Sequence, residues 1–139
     1  MKSVAIVSLM IAAMVVAGNK SKPSSSSSST GSVERGKYVV ENVGMCGQCH
    51  TPRNTDGELI RSRWLEGAPV PVANPYVDKP WADFAPRIAG LPQYTPTQAL
   101  ELLTTGTSRT GKPLRGPMPP FRMSEQDAKD VVAYLKSLE

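Results

Sequence analysis

The chain has 139 residues, with 16 Lys+Arg against 12 Asp+Glu and a formal net charge of +4. That length allows one small domain. So mild a charge, with no basic patch interleaved with aromatics, argues against a nucleic-acid partner. Two cysteines and one histidine are too few for a disulfide framework.

The chain opens Met1-Lys2-Ser3, runs without charge over residues 4–17, and continues Gly18-Asn19-Lys20. This is the basic start, apolar middle and small-residue exit of a secretory signal, with Val15-x-Ala17 as the cleavage motif. An apolar run of about 14 residues makes a helix of about 21 Å, short of the roughly 30 Å hydrocarbon core of a bilayer. Cleavage and release are therefore expected ahead of an uncleaved membrane tether, and the expected compartment is the periplasm. Residues 20–32 read KSKPSSSSSSTGS, a composition unable to bury enough apolar surface to fold. The expected organisation is a signal over 1–17, a disordered linker over 18–32 and a folded domain over 33–139.

A first helix is predicted over residues 33–43, with Val33, Val40 and Val43 on one face and Gly36 between them. Next comes MCGQCHTP, which holds Cys46, Cys49 and His50, the whole cysteine and histidine content of the chain. Three chemistries use C-x-x-C. A closed zinc site needs four N or S ligands, so a carboxylate or a second subunit would have to complete these three. A thioredoxin-like dithiol belongs near a βαβ pattern, whereas here a helix precedes and a proline-rich segment follows. The full spelling C-x-x-C-H is the signal for covalent attachment of a c-type haem: two thiols become thioethers on the porphyrin, and the adjacent imidazole reaches the iron. That reading uses all three residues together.

Residues 54–94 are rich in proline and glycine and read as loop, with at most one short turn near residues 81–84. Trp64, Trp81 and Tyr94 are candidates to pack on a porphyrin or donate to a propionate, although core or loop anchoring accounts for them as well. Thr95-Pro96-Thr97-Gln98 starts a second helix, with Thr95 as N-cap, Pro96 at the first position and Gln98 closing a capping box. The helix should end at Thr105, with Gly106 as its stop. A methionine-containing, proline-rich loop follows. Ser124 then caps a last helix, with Asp127 in the place of a capping-box acid and Val131, Tyr134, Leu135 and Leu138 along one face. No stretch alternates like a strand for long, and the fold class is all-α.

The segments CGQCHTPRN, APRIAGL and PMPPFRMSEQDAKDVVAYLKSL carry a resemblance. From about residue 33 to residue 139 the chain is similar to a class I c-type cytochrome, of the single-haem kind that accompanies periplasmic dehydrogenases and oxidases. The resemblance implies a small helical fold wrapped around one covalently attached haem, the first and last helices crossing where Gly36 lets them approach. It implies single-electron transfer, no catalysis by the chain itself, and a redox partner protein. Cys46 and Cys49 would carry the haem, and His50 would be one axial ligand.

The chain offers no second histidine. Met45 directly precedes the attachment cysteine and is on the wrong side, which leaves Met118 and Met123. Met123 stands just before the last helix, where it can pack on Ala128 as a hydrophobic staple. Met118 lies in Gly116-Pro117-Met118-Pro119-Pro120, whose prolines restrict the loop, and the family motif also places the ligand there. Met118 is the expected metal ligand with His50, Met123 or an open position being the alternatives. A thioether ligand and an apolar pocket both favour ferrous iron. Arg109, Lys112, Arg115 and Arg122 follow one another without an intervening acid, giving the loop a positive face for an acidic partner or for the propionates. The second ring nitrogen of His50 should donate to a backbone carbonyl, expected within Gly67-Ala68-Pro69.

Overall fold

The computed structural model describes residues 30–139, so the signal expected over 1–17 and most of the linker expected over 18–32 lie outside the described residues. The elements are α1 (Val33–Tyr38), a π-helical turn (Val39–Val43), α2 (Gly47–His50), a 3-10 turn (Arg61–Arg63), β1 (Ala68–Pro69), β2 (Phe84–Ala85), α3 (Pro96–Thr105) and α4 (Glu125–Lys136).

Ser32 caps α1, its Oγ accepting the Arg35 N–H at 3.2 Å. The π turn continues α1 without a break and shows in long-reach bonds, Gly44 N–H to the Val39 carbonyl at 2.7 Å and Cys46 N–H to the Val40 carbonyl at 3.0 Å. The observed apolar face differs from the predicted one. Val33 and Val43 are 38% and 59% exposed, while Val39 and Val40 are buried. Gly36, Val39 and Val40 form the buried stripe at i, i+3 and i+4, and the wider π turn carries Val43 out to solvent.

That stripe crosses α4 where Gly36 was expected to permit it: a Cβ on Gly36 would overlap the Asp130 carbonyl and the Tyr134 Cβ. The crossing is pinned beyond packing. Asp130, buried at 3% exposure, accepts the Ser32 N–H at 2.7 Å and a Gln126 side-chain N–H at 2.8 Å. Arg35 pairs with Asp127 at 3.1 Å. The Ser124 hydroxyl and then the Arg35 guanidinium hold the Asp127 carboxyl below its ordinary range. At the start of α4 the Asp127 N–H donates to Ser124 Oγ, and the Asp127 carboxylate accepts the Ser124 hydroxyl at 2.8 Å rather than the Ser124 backbone N–H. The α3 caps are as predicted: Thr95 and Gln98 close a full capping box, and Gly106 at φ 71° ends the helix. Ala99 and Leu103 of α3 join Val131, Val132, Tyr134 and Leu135 of α4 in the core.

The loop over residues 54–94 holds more structure than expected. Besides the 3-10 turn, β1 and β2 form a two-stranded antiparallel ladder, with Ala68 opposite Ala85 and Pro69 opposite Phe84. The fold is thus mostly helical with one small ladder rather than all-α. Two-residue strands are too short to show alternation, and their pairing is set by close approach: Gly67, at φ 93°, leaves no room for a Cβ against Ala85, Pro86 and Arg87. Leu65, fully buried, organises the same region. Its N–H donates to the buried Thr51 Oγ1 at 3.0 Å, and its carbonyl accepts the N–H groups of Ile88 and Ala89.

Two stability predictions follow from these contacts. Gly36→Val forces α1 from α4 and should cost about 1–3 kcal/mol or more, as overpacking does. Thr51→Val leaves the buried Leu65 N–H unpaired and should cost about 1–3 kcal/mol, whereas Thr51→Ser, which keeps the acceptor, recovers most of that loss. Urea unfolding of the full chain measures all three.

Candidate functional site

Cys46, Cys49 and His50 are presented on a single short turn. Cys46 precedes α2, and the N–H groups of Cys49 and His50 both point back to its carbonyl, at 3.3 and 3.0 Å. Met45 ahead of it takes a left-handed φ of 46°, turning the chain sharply from the π turn into the motif. Gly47 between the cysteines lies beneath the Trp64 ring, which occupies the space a Cβ would fill. Trp64 in turn donates its indole N–H to Tyr134 Oη at 3.1 Å, and Tyr134 donates to Glu41 at 3.2 Å. The C-x-x-C-H turn is therefore clamped from α4 through an aromatic pair, with the Arg61 guanidinium 4.5 Å over the Trp64 ring. Burial, opposed by the Trp64 hydrogen bond, pushes the Tyr134 hydroxyl above its ordinary pKa, so it stays a neutral bridge.

His50 is 6% exposed, and its Nδ1 lies 2.7 Å from the Pro86 carbonyl oxygen. A carbonyl can only accept, so the ring proton sits on Nδ1 and the Nε2 lone pair is left for a metal. Burial lowers the His50 pKa below 6.5, against a smaller opposing effect of the Pro86 bond, and the imidazole is neutral at pH 7. The acceptor is Pro86 and not the expected Gly67-Ala68-Pro69 segment. That segment is adjacent but differently used: the Gly67 N–H donates to the backbone carbonyl of His50 at 2.8 Å, and the β1–β2 ladder places Pro86 at the ring. The segment APRIAGL contained the acceptor, but a carbonyl has no signature in a side-chain sequence.

The two other readings of C-x-x-C lose their support. Burial pushes the Cys46 thiol up to about 11, the opposite of the activated thiolate that a dithiol exchange centre uses. Among the described residues no three His, Cys, Asp or Glu side chains converge as a metal site, so no carboxylate among them completes a zinc set. What the residues fit is a haem. Two half-buried thiols unlinked by a disulfide flank a turn, and beside them a neutral imidazole has one nitrogen bound to protein and the other free.

Met118 sits half-buried on a separate loop. The loop returns toward the motif through Phe121, whose ring, like Cys46 Sγ, lies beside Gly44. Met123 packs against the core cluster that contains Ala128, and its N–H donates to the Leu103 carbonyl at 3.1 Å. Arg109, Lys112, Arg115 and Arg122 are exposed, and none joins an ion pair among the described residues. The three aromatics flagged in the sequence all have protein partners. Trp64 bonds Tyr134, Trp81 donates to the Val72 carbonyl at 3.1 Å, and Tyr94 lies under the Arg109 guanidinium at 5.9 Å.

The chain is similar in sequence to known proteins. A protein described as "Diheme cytochrome c-type" from Cereibacter sphaeroides is 60% identical over 38 residues, which is 27% of this chain and 13% of that protein. A "Fructose dehydrogenase cytochrome subunit" from Gluconobacter japonicus is 29% identical over 115 residues, 75% of this chain and 21% of that protein. The chain thus spans about a fifth or less of the length of these curated relatives. Among the described residues no helix is long and apolar enough to cross a membrane. The Cytochrome c family model matches residues 33–139, the whole stretch that carries the motif, the methionine loop and the crossing helices, and the chain belongs to that family of electron-transfer proteins as a class I c-type cytochrome.

Proposed function

We propose that this chain carries single electrons on one haem c, attached through Cys46 and Cys49, with His50 and Met118 as its axial ligands. The observation that supports this most is the buried His50 ring, bound through Nδ1 to Pro86 and free at Nε2, on the same turn as both thiols. Haem c, when bound, supplies a one-electron ferric/ferrous couple. The protein's part is positional. The Pro86 carbonyl fixes the tautomer and angle of the imidazole and raises its basicity. Pro117, Pro119 and Pro120 limit the freedom of the Met118 loop, and the soft thioether favours the reduced state. With His50 and Met118 both holding the iron, no ligand position would be left for a substrate, and the chain would perform no bond chemistry of its own.

One C-x-x-C-H gives one haem per chain. The functional unit is the domain over 33–139, exported to the periplasm behind the signal over 1–17, whose cleavage after Ala17 leaves the linker over 18–32 ahead of the domain. The likeness to a dehydrogenase cytochrome subunit supports a dehydrogenase as electron donor. The exposed cations Arg109, Lys112, Arg115 and Arg122 would steer encounter with an acidic partner surface.

Replacing each methionine in turn tests the ligand set. Met118→Ala should abolish the weak long-wavelength band of a sulfur-to-ferric bond and lower the reduction potential in spectroelectrochemical titration. Met123→Ala should keep the band and cost only about 1–2 kcal/mol, as loss of a half-buried side chain does. The reverse outcome would transfer the ligand role to Met123. A wild-type protein without the band, which binds carbon monoxide freely when reduced, would mark an open position and replace the carrier reading with that of a sensor or enzyme.

A further inference from the structure

Residues 70–84 form a proline-rich excursion that contributes little to the core: Val72, Tyr76, Val77 and Phe84 are each half exposed or more. The base of the excursion is closed by β1 and β2 and by the Val70 N–H to the Asp83 carbonyl at 2.9 Å. Its Trp81 points at the methionine loop. The ring lies on Gly116, filling the space where a Cβ would be, and the backbones are bridged there, the Ala82 N–H donating to the Gly116 carbonyl at 2.8 Å. The ring is fixed from behind by its indole N–H on the Val72 carbonyl at 3.1 Å.

Among the described residues the methionine loop is tied to other segments by backbone bonds at two points, Gly116 to Ala82 and Met123 to Leu103. Met118 is two residues from the first and five from the second. Pro117, Pro119 and Pro120 have no N–H with which to add further ties, and their stiffness passes the hold at Gly116 on to Met118.

We infer that Trp81 is a positioning residue for Met118, clasping the methionine loop through Gly116; this rests on the reading of Met118 as the sixth ligand. The same short run of chain then serves both axial side chains, since Pro86 lies four residues beyond Ala82 and holds His50. Loss of the Trp81 ring frees the Gly116 end of the loop, and the population with Met118 detached rises. An exogenous ligand binds only the detached form, so its apparent affinity reports that population.

The test is an imidazole titration of the ferric, haem-loaded full chain in five variants: Trp81→Ala, Trp81→Phe, Gly116→Ala, Met118→Ala, and Trp81→Ala combined with Met118→Ala. Trp81→Ala and Gly116→Ala should each raise apparent imidazole affinity about tenfold, by increasing the detached fraction, and weaken the sulfur-to-ferric band. Gly116→Ala does so with the tryptophan in place, because its methyl displaces the ring. Trp81→Phe, which keeps an aromatic ring on Gly116 without the indole bond, should fall between wild type and Trp81→Ala. In the Met118→Ala background the Trp81→Ala change should add nothing, because the effects run through one side chain. Wild-type affinity in Trp81→Ala overturns the inference, and so does an equal gain in both backgrounds, which would place the action of Trp81 elsewhere. Wild-type affinity in Met118→Ala overturns instead the ligand reading on which the inference rests.

Discussion

The hydrogen bond from His50 Nδ1 to the Pro86 carbonyl joins residues 36 positions apart in sequence, and much of the structure serves to make that meeting possible. The chain leaving the motif has to travel outward and return with one carbonyl aimed at a buried ring. Thr51 begins the return by accepting the Leu65 N–H, Leu65 fastens Ile88 and Ala89, and Gly67 allows the two passes of chain to touch. Bonded in this way, a ring with one free nitrogen has its direction and protonation fixed before any metal arrives, which is the preorganisation an axial ligand needs.

The opposite side of the motif is held by the helices. The crossing of α1 and α4 at Gly36 brings Tyr134 to where it can grip Trp64, and Trp64 covers Gly47. A π turn between α1 and Cys46 sets the angle at which the attachment turn leaves that crossing. Helix packing, the aromatic clamp and the His50–Pro86 hydrogen bond thus converge on residues 46–50. Electron transfer benefits from such rigidity, because a site that moves little on changing charge has little to reorganise.

Much of this was legible in the residues. The α3 caps, Gly106 as a stop, the Ser124 cap and the buried face of α4 all follow from local rules in which side chain and backbone partner lie within four residues. Gly36 was legible for a different reason, as the small residue in an otherwise good helix stripe. The misreadings have physical causes. Val43 was placed on the buried face because a regular 3.6 period was assumed, and the π turn breaks that period without any side-chain marker; Val33 stands ahead of that turn, at the first position of α1, and is exposed there. The β1–β2 ladder pairs backbone with backbone, and the Pro86 carbonyl and Gly116 are backbone partners of the His50 and Trp81 rings; such distant backbone partners are offered by every residue, and no composition reveals them. At the site, Cys46, Cys49 and His50 stand out in the sequence because one chemistry accounts for all three, whereas the partners that orient them do not.

The central claim is that the attachment turn carries one haem covalently through Cys46 and Cys49. Mass spectrometry of protein matured with haem-attachment machinery, denatured in acidified organic solvent and then digested, tests this most directly. The account predicts a polypeptide heavier by one haem, with the added mass confined to the peptide containing Cys46, Cys49 and His50 and absent when both cysteines are changed to serine. An unmodified polypeptide after that extraction, or haem found on any other peptide, would contradict it.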